Sequence, residues 1–369
     1  MRILLRASSA AYRAACTPGL TGFGHGNSGN ILFAQSVFKS LCNSTNVIDV
    51  DEYKPDFATA GEINERYDAL VLPLANAFRP AFEPQLRQYT SLIRELKIPC
   101  VVVGVGAQAD LTLAALQGSP IDDAVKEFAA AVLDRSPAIG ARGELTCAYL
   151  NRLGFSAVTV IGCPSLFLNG ANLEICKLTE GLSDESKIAL NHTPGVGTVV
   201  SDAIRGVLRN YRNSVIVAQE QAGVQQWAQL AGADRVRHFR HVPDWIAFMR
   251  TRNFSLGTRI HGNIAALLAG IPALVIAHDS RTLELARYHR IPHVLEHVIR
   301  QSTSIAELYE STDCGAANAS APGLFRRYAA FLEKSGLDHG LDDPLNAARF
   351  DRSLKASTAA DGASSNGSF

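Results

Sequence analysis

The sequence predicts an α/β protein built from two doubly wound parallel sheets. Three observations point there. Short apolar runs alternate with helical patterns through both halves of the chain. The run at residues 99–105 is apolar almost without a break, as a strand buried on both faces requires. A polar stretch at residues 170–186, containing Gly170, Gly181 and Ser183-Asp184-Glu185-Ser186, separates the halves.

The elements follow in order. The opening Met1-Arg2-Ile3-Leu4-Leu5-Arg6 reads as a first buried strand, its apolar run being too short for a signal peptide. Further strands are expected at residues 45–50, 67–74, 99–105, 138–141 and 158–161. Helices are expected at residues 31–41, 86–97, 122–134 and 144–153. The second of these carries Leu86, Tyr89, Leu92, Ile93 and Leu96 at spacings of three and four, and Gly154 closes the last. The second half repeats the scheme. Strands read at residues 187–190, 214–218, 254–256 and 272–277. Helices read at residues 201–211, 224–231, 245–250, 260–269 and 281–289. The expected division is 1–175, 176–322, a terminal helix within 323–350, and a disordered tail rich in Ser, Ala, Gly and Asp over 351–369. Open α/β sheets bind ligands at the carboxyl ends of their strands. The strand-end loops of the two domains are therefore expected to face a shared cleft.

Composition narrows the function. A length of 369 residues suits two domains. Lys+Arg and Asp+Glu both number 35, so net charge gives no pull toward nucleic acid or an anionic surface. The seven cysteines are scattered and form no CxxC pair. They read as thiols in a reducing compartment, with no metal site. No stretch approaches the ~18 apolar residues of a membrane span. A cytoplasmic location is expected.

Five segments qualify for chemistry. The strongest is the run FSLGTRIHGNIAALLAGIP at residues 254–272, a short strand, a turn and a helix closed by Gly270 and Pro272. Arg259 and His261 fall at the helix start, where free N–H groups and the helix dipole favour an anion. Two residues apart on a helix they would diverge by about 200°. Both face one site only if Arg259 stays extended. An interdomain salt bridge and a helix cap are the competing readings. The second segment, Gly24-His25-Gly26-Asn27-Ser28-Gly29-Asn30, formally matches GxGxxG, with Asp49 placed 20 residues beyond Gly29. It lacks the tight strand-to-helix turn of a dinucleotide site, so a glycine-rich ligand loop or a plain helix cap both remain. The third, Gly104-Val105-Gly106-Ala107-Gln108, follows a central strand and permits close backbone approach. The fourth places Arg142 at a strand end as a second anion contact or a helix-start ion pair. The fifth offers His278, Asp279 and Arg281, of which Asp279 also suits a plain N-cap. The basic patch at residues 235–241 reads as solvated surface or as a contact for an anionic acceptor. His289, His293 and His297 are spaced by four, but Pro292 breaks any shared helix.

Taken together, these segments resemble the polysaccharide pyruvyl transferase family. The most specific piece is G-x-R-x-H-x-x-x-x-A-L-x-x-G-x-P from Gly257 to Pro272, followed by a strand and Asp279. The loop at 24–30, the turn at 104–106 and the Arg142 segment support it. The resemblance implies a glycosyltransferase-B-like pair of Rossmann-like domains. It implies transfer of a pyruvyl group from phosphoenolpyruvate to a sugar hydroxyl pair as a ketal, without a cofactor. Arg259 would bind the donor anion and His261 would serve as acid-base group. Gly26, Asn27, Gly29, Asn30, Gly104, Gly106, Gln108, Arg142, His278, Asp279 and Arg281 would line the substrates. The partner would be a sugar or a lipid-linked oligosaccharide, not nucleic acid. A lipid-linked acceptor would bring the protein to the inner face of a membrane. Many members carry Asp where this chain has Asn30, and Asp-Pro where it has Cys163-Pro164-Ser165, which bears on the acceptor. A nucleotide-sugar glycosyltransferase, an NAD-dependent oxidoreductase using residues 24–29 and Asp49, and a non-catalytic sugar-binding protein are the alternatives.

Overall fold

The computed structural model describes residues 1–7, 27–51, 59–109, 111, 118–300 and 302–353. They fall into two compact units. Unit 1 draws its residues from Met1–Thr17, Phe33–Gly170 and Gly323–Phe369, and unit 2 from Pro18–Leu32 and Ala171–Pro322.

Unit 1 contains strands β1 (Arg2–Arg6), β2 (Val47–Asp51), β3 (Ala69–Pro73), β4 (Cys100–Val103), β5 (Ile139–Ala141) and β6 (Val158–Val160). The first four pair in the order β2-β1-β3-β4, all parallel, and β5 pairs with β6. A parallel bridge from Val105 to Ala141 joins the two groups, with Val105 N donating to Gly140 O at 3.0 Å. The result is one parallel sheet of order 2-1-3-4-5-6. Every residue of β3 and β4 is buried, which is why their sequences run apolar without alternation. Helices α1 (Ser28–Leu41), α2 (Ala60–Arg66), α3 (Glu83–Glu95), α4 (Asp122–Leu133) and α5 (Glu144–Arg152) cross between strands. Helix α3 buries Leu86, Tyr89, Leu92 and Ile93, and α4 buries Val125, Phe128, Ala129 and Val132. These spacings present one apolar stripe to the sheet. Gly154 takes φ +98° after α5, the left-handed exit that its sequence position requires.

Unit 2 contains β7 (Ile188–Asn191), β8 (Val215–Ala218), β9 (Val236–His238), β10 (Phe254–Gly257), β11 (Ala273–Ala277) and β12 (His293–Leu295). All are parallel, in the order β12-β11-β10-β7-β8-β9. Counted within the unit this is 6-5-4-1-2-3, the doubly wound order whose switch point lies between the first and fourth strands, here β7 and β10. Its helices are α6 (Thr198–Asn210), α7 (Gln221–Ala231), α8 (Val242–Met249), α9 (Ile260–Leu268), α10 (Ser280–Tyr288) and α11 (Ile305–Ser311). Helix α12 (Gly315–Lys334) follows, with Pro322 inside it at the residue where the chain passes from unit 2 back to unit 1.

Five differences from the sequence reading stand out. Strands β9 and β12 have three residues each, too few for an apolar run to register. The short helices α2 and α11 also went unread. Helix α12 begins eight residues before the expected 323. Residues 351–353 continue a helix begun at 346, where a disordered tail was expected, while 354–369 lie outside the described residues. The chain does not divide into two contiguous halves either. Residues 27–32 belong to unit 2, because Ser28 N donates to Gln219 O at 3.0 Å. Among the described residues no helix is long and apolar enough to cross a membrane.

Two buried points hold the sheets. In unit 1, a Cβ on Gly140 would lie 2.8 Å from Ile161 Cδ1, Phe331 Cζ and Val102 O. Gly140→Val is expected to lower stability by about 1–3 kcal/mol through overpacking, read as an earlier urea midpoint. In unit 2, Asn263 is fully buried and bridges β10 to α9. Its replacement by Leu, which strands the polar groups around it, is expected to cost about 2–4 kcal/mol in the same assay.

Candidate functional site

The switch point of unit 2 is shaped by an amide network. Asn191 ends β7 and its carbonyl accepts from Thr258 N at 2.7 Å and Arg259 N at 3.2 Å. Its side-chain Nδ2 donates to Ser255 Oγ at 2.9 Å, and Ser255 Oγ donates to Asn263 Oδ1 at 2.8 Å. Asn263 Nδ2 returns to Gly257 O at 3.0 Å and Arg259 O at 3.3 Å. Asn191, Ser255 and Asn263 are all 0% exposed. Gly257 sits at φ +149°, and a Cβ there would overlap the Asn191 backbone. These residues carry no reactive group and escaped the sequence reading. Their signal was present as Ser255 and Asn263 flanking the motif.

The network fixes Arg259 as the N-cap of α9, with φ −85° and ψ 104°, extended as the two-residue offset demands. His261 lies in the first helical turn and is 7% exposed. The Arg259 guanidinium pairs with the Glu220 carboxylate, just beyond β8. Burial lowers the Arg259 pKa, Glu220 opposes that, and Arg281 is near enough to push it down further. The other Glu220 oxygen accepts from Asn27 Nδ2 at 3.4 Å, and Asn27 Oδ1 accepts from Gly29 N at 2.8 Å. A Cβ on Gly29 would stand 2.6 Å from His261 Nδ1 and 2.8 Å from Gln219 Oε1. Glycine is therefore required where α1 meets the histidine. Ser28 locks this approach, its Oγ donating to Phe239 O at 2.5 Å.

On the next turn, Asp279 caps α10. Its Oδ1 accepts from Thr282 N at 2.8 Å and its Oδ2 lies 2.9 Å from Arg281 Nη2. Burial pushes the Asp279 pKa up, but Arg281, His278 and Thr282 together hold it below the ordinary value. His278 Nε2 is 3.7 Å from Asp279 Oδ2. Burial lowers the His278 pKa, with Arg281 adding to the shift against the pull of Asp279 and Glu296.

A residue that the sequence reading missed, His192, follows β7. Trp227 Nε1 donates to its Nδ1 at 3.3 Å, and its Nε2 is 3.1 Å from Ser201 Oγ. Nδ1 accepts, so the proton resides on Nε2. Burial, then Arg259 and His278, lower the His192 pKa to about 4.

The structure thus brings Asn27, Gly29, Arg259 and His261 together in unit 2, with His278, Asp279 and Arg281 one turn away. Asn30 lies in the first turn of α1 and is exposed. Gly26 lies outside the described residues. Gly104, Gly106, Gln108 and Arg142 form a separate group within unit 1. Gly104 has φ +68°, and Arg142 Nε donates to its carbonyl at 2.9 Å. Arg142 is 1% exposed and lies over the Phe33 ring at 5.0 Å, so it braces the turn from inside. Gly106 O accepts from Phe78 N at 3.2 Å, and Gln108 Oε1 accepts from Asn76 Nδ2 at 2.7 Å. Asp49 accepts from Tyr67 Oη at 3.0 Å, mid-strand in β2. Cys163 precedes a buried 3₁₀ turn, Pro164–Phe167. In the basic patch, Arg235 donates to the carbonyls of Ser214, Leu208 and Tyr211 at 2.8, 3.2 and 3.2 Å, a structural task.

The His192 environment makes a testable claim. Its neutral form is favoured in the folded state, so its share of stability is complete above the unfolded pKa near 6.5 and declines as pH falls toward 4. Its ring protons should show no titration by NMR between about pH 5.5 and 8. Replacing His192 by Gln should flatten the loss of stability over the acidic window.

Comparison with known proteins gives the frame for this geometry. The S. aureus MnaA–UDP complex is similar in fold, with TM-score 0.50 and 13% identity over 90% of this chain and 96% of that one. The UDP-GlcNAc 2-epimerase from Neisseria meningitidis, bound to UDP-GlcNAc, gives TM-score 0.48 and 11% identity over 90% and 100%. A search of curated proteins gives no match. The two units are Rossmann-like and of the glycosyltransferase-B-like class. The family model for polysaccharide pyruvyl transferase matches residues 27–280, from the Asn27 loop through the Arg-x-His turn to the cap of α10. With the motif and its geometry in agreement over that span, the chain belongs to the polysaccharide pyruvyl transferase family.

Proposed function

We propose that the enzyme moves a pyruvyl group from phosphoenolpyruvate to a hydroxyl pair on a sugar of a polysaccharide or its lipid-linked precursor, forming a ketal. The observation that carries this reading is the convergence of Arg259 and His261 at the switch point of unit 2, with Arg281 on the neighbouring turn. Phosphoenolpyruvate brings a carboxylate and about 1.5–2 negative charges on phosphate. Two arginines and the N-terminus of α9 supply the matching field. Arg259 already grips a carboxylate, that of Glu220, so its fork is oriented for an oxyanion.

The chemistry asks for one acid. Protonation of the methylene carbon builds positive charge on the adjacent carbon, where the first sugar hydroxyl adds. Phosphate then departs and the second hydroxyl closes the ketal. Of the two hydroxyl protons, one ends on the new methyl group by way of the acid and the other leaves with phosphate. His261 has the position for that acid, and an imidazole is the side chain suited to exchanging protons near neutral pH. Its ring lies against the Gly29 backbone, which limits the directions in which it can deliver a proton. Arg259 and Arg281 stabilise the departing phosphate. The site thus relies on preorganised charge at a helix end and one titratable ring.

The reading predicts a division of effects. His261→Ala should lower turnover by about 10²–10⁴-fold with little change in KM for phosphoenolpyruvate. Arg259→Ala should raise that KM by about 10²-fold or more, and Arg259→Lys should recover only part of it. Phosphate release from phosphoenolpyruvate over a panel of free and lipid-linked sugars measures both. Wild-type rates in either alanine variant would remove the assigned role. Release of nucleotide from UDP- or GDP-sugars, with no phosphate from phosphoenolpyruvate, would replace the reading by glycosyl transfer.

A further inference from the structure

Gln219 carries a hydrogen-bond donor that the fold does not use. The residue follows β8, is 3% exposed, and its backbone carbonyl is held by Ser28 N at 3.0 Å. Its side-chain Nε2 is buried and makes no hydrogen bond among the described residues. Leaving a buried donor unpaired costs about 1–3 kcal/mol, so such a group in a native protein calls for a partner from outside the chain or a functional reason. Asn191 Oδ1 is also unpaired, but it lies directly against Gly262 with no room for a ligand. Gln219 differs in its surroundings. Its Oε1 and His261 Nδ1 both lie against Gly29, which places the carboxamide beside the acid-base ring.

Charge divides the turns around the switch point. The turns after β10 and β11 present Arg259, His278 and Arg281. The turn after β8 presents Glu220 and Gln219, with Asn27 alongside. A multiply charged donor belongs on the first side, since the Glu220 carboxylate repels it from the second. A neutral polyhydroxyl ligand suits the second side. A carboxamide N–H donates to a hydroxyl oxygen, and a carboxylate accepts the hydroxyl proton.

We propose that the Gln219–Glu220 turn is the sugar-hydroxyl subsite, in which Gln219 Nε2 donates to an acceptor hydroxyl beside His261. The proposal rests on the pyruvyl-transfer reading and gives that reading an acceptor contact within unit 2. When a donor anion takes the Arg259 fork, Glu220 loses its partner and turns to a hydroxyl of the same sugar. Donor and acceptor binding are thereby coupled through one ion pair.

Thermal melts of the full chain test this, with phosphoenolpyruvate in one arm and a panel of methyl pyranosides in the other. Wild type should be stabilised by phosphoenolpyruvate and, in its presence, further by at least one glycoside. Gln219→Met keeps the side-chain length and removes the unpaired donor. It should melt at or above the wild-type temperature without ligand, keep the phosphoenolpyruvate shift, and lose the glycoside shift. A variant that melts several degrees lower or fails to fold would make Gln219 structural and overturn the proposal. So would a surviving glycoside shift, or a wild type that no glycoside stabilises. The failure of the pyruvyl reading looks different: phosphoenolpyruvate would then fail to stabilise wild type, whatever the glycosides do.

Discussion

The geometry of unit 2 depends on a buried hydrogen-bond network linking Asn191, Ser255 and Asn263. Two parallel strands that flank a switch point have no helix between their carboxyl ends, so something else must set the spacing there. The Asn191 carbonyl does so by accepting from two successive backbone amides of the β10 turn, Thr258 and Arg259. The Asn263 amide holds the other side of the same turn through the carbonyls of Gly257 and Arg259. Arg259 is thus kept extended while the next residue is already helical. Without that restraint, an arginine two residues before a histidine would tend to join the helix and swing away from it. The direction of two functional side chains is set by three residues that never need to touch a substrate.

Two ion pairs explain how the turn tolerates its charge. Arg259 and Arg281 repel one another in a partly buried setting, and each has a carboxylate beside it, Glu220 and Asp279 respectively. The two carboxylates are not equivalent. Asp279 is locked by the capping box of α10 and cannot leave without uncapping the helix. Glu220 begins the turn into α7 and, among the described residues, is held on its other oxygen by Asn27. An incoming anion therefore meets one replaceable counter-ion and one fixed one. In the proposed reaction, that asymmetry favours Arg259 as the group that exchanges its partner for the donor and Arg281 as a standing contribution to the field.

The alternation of strands and helices was legible because buried parallel strands and amphipathic helices impose distinct spacings, as β4 and α3 show. The order of the strands was not, since register and neighbour choice depend on long-range packing that no local run encodes. Strands β9 and β12 show the lower limit: three residues at a sheet edge, half polar, carry no periodic signal. Within the site, the motif from Gly257 to Pro272 was readable because helix-end chemistry concentrates there. His192 was not, since a lone histidine after a strand gives no hint that Trp227 and Ser201 will meet it. Gln219 was hidden for a different reason. An unpaired donor becomes visible only once every possible partner has a position. Arg142 shows a different limit: residue type pointed to a ligand, and only the fold reveals that the same guanidinium also braces the Gly104 turn.

Glycine placement gives the last constraint. Gly29, Gly257 and Gly262 each stand where a single carbon would strike a residue of the site: His261 and Gln219 for the first, Asn191 for the other two. Alanine is the better helix former, so glycine at position 262 in the first turn of α9 weakens the helix by its own propensity. What it permits is the close seat of Asn191, and through it the fixed turn. Gly29 acts from another element altogether, letting the start of α1 close on the histidine. The reactive ring is therefore bounded on one side by backbone instead of side chain. The proposed proton delivery to a carbon would call for a ring so bounded, because carbon offers no lone pair to tolerate misalignment. The glycines and the amide network thus work together: Gly29 removes bulk beside His261, while Gly257 and Gly262 let Asn191 seat the turn that carries it.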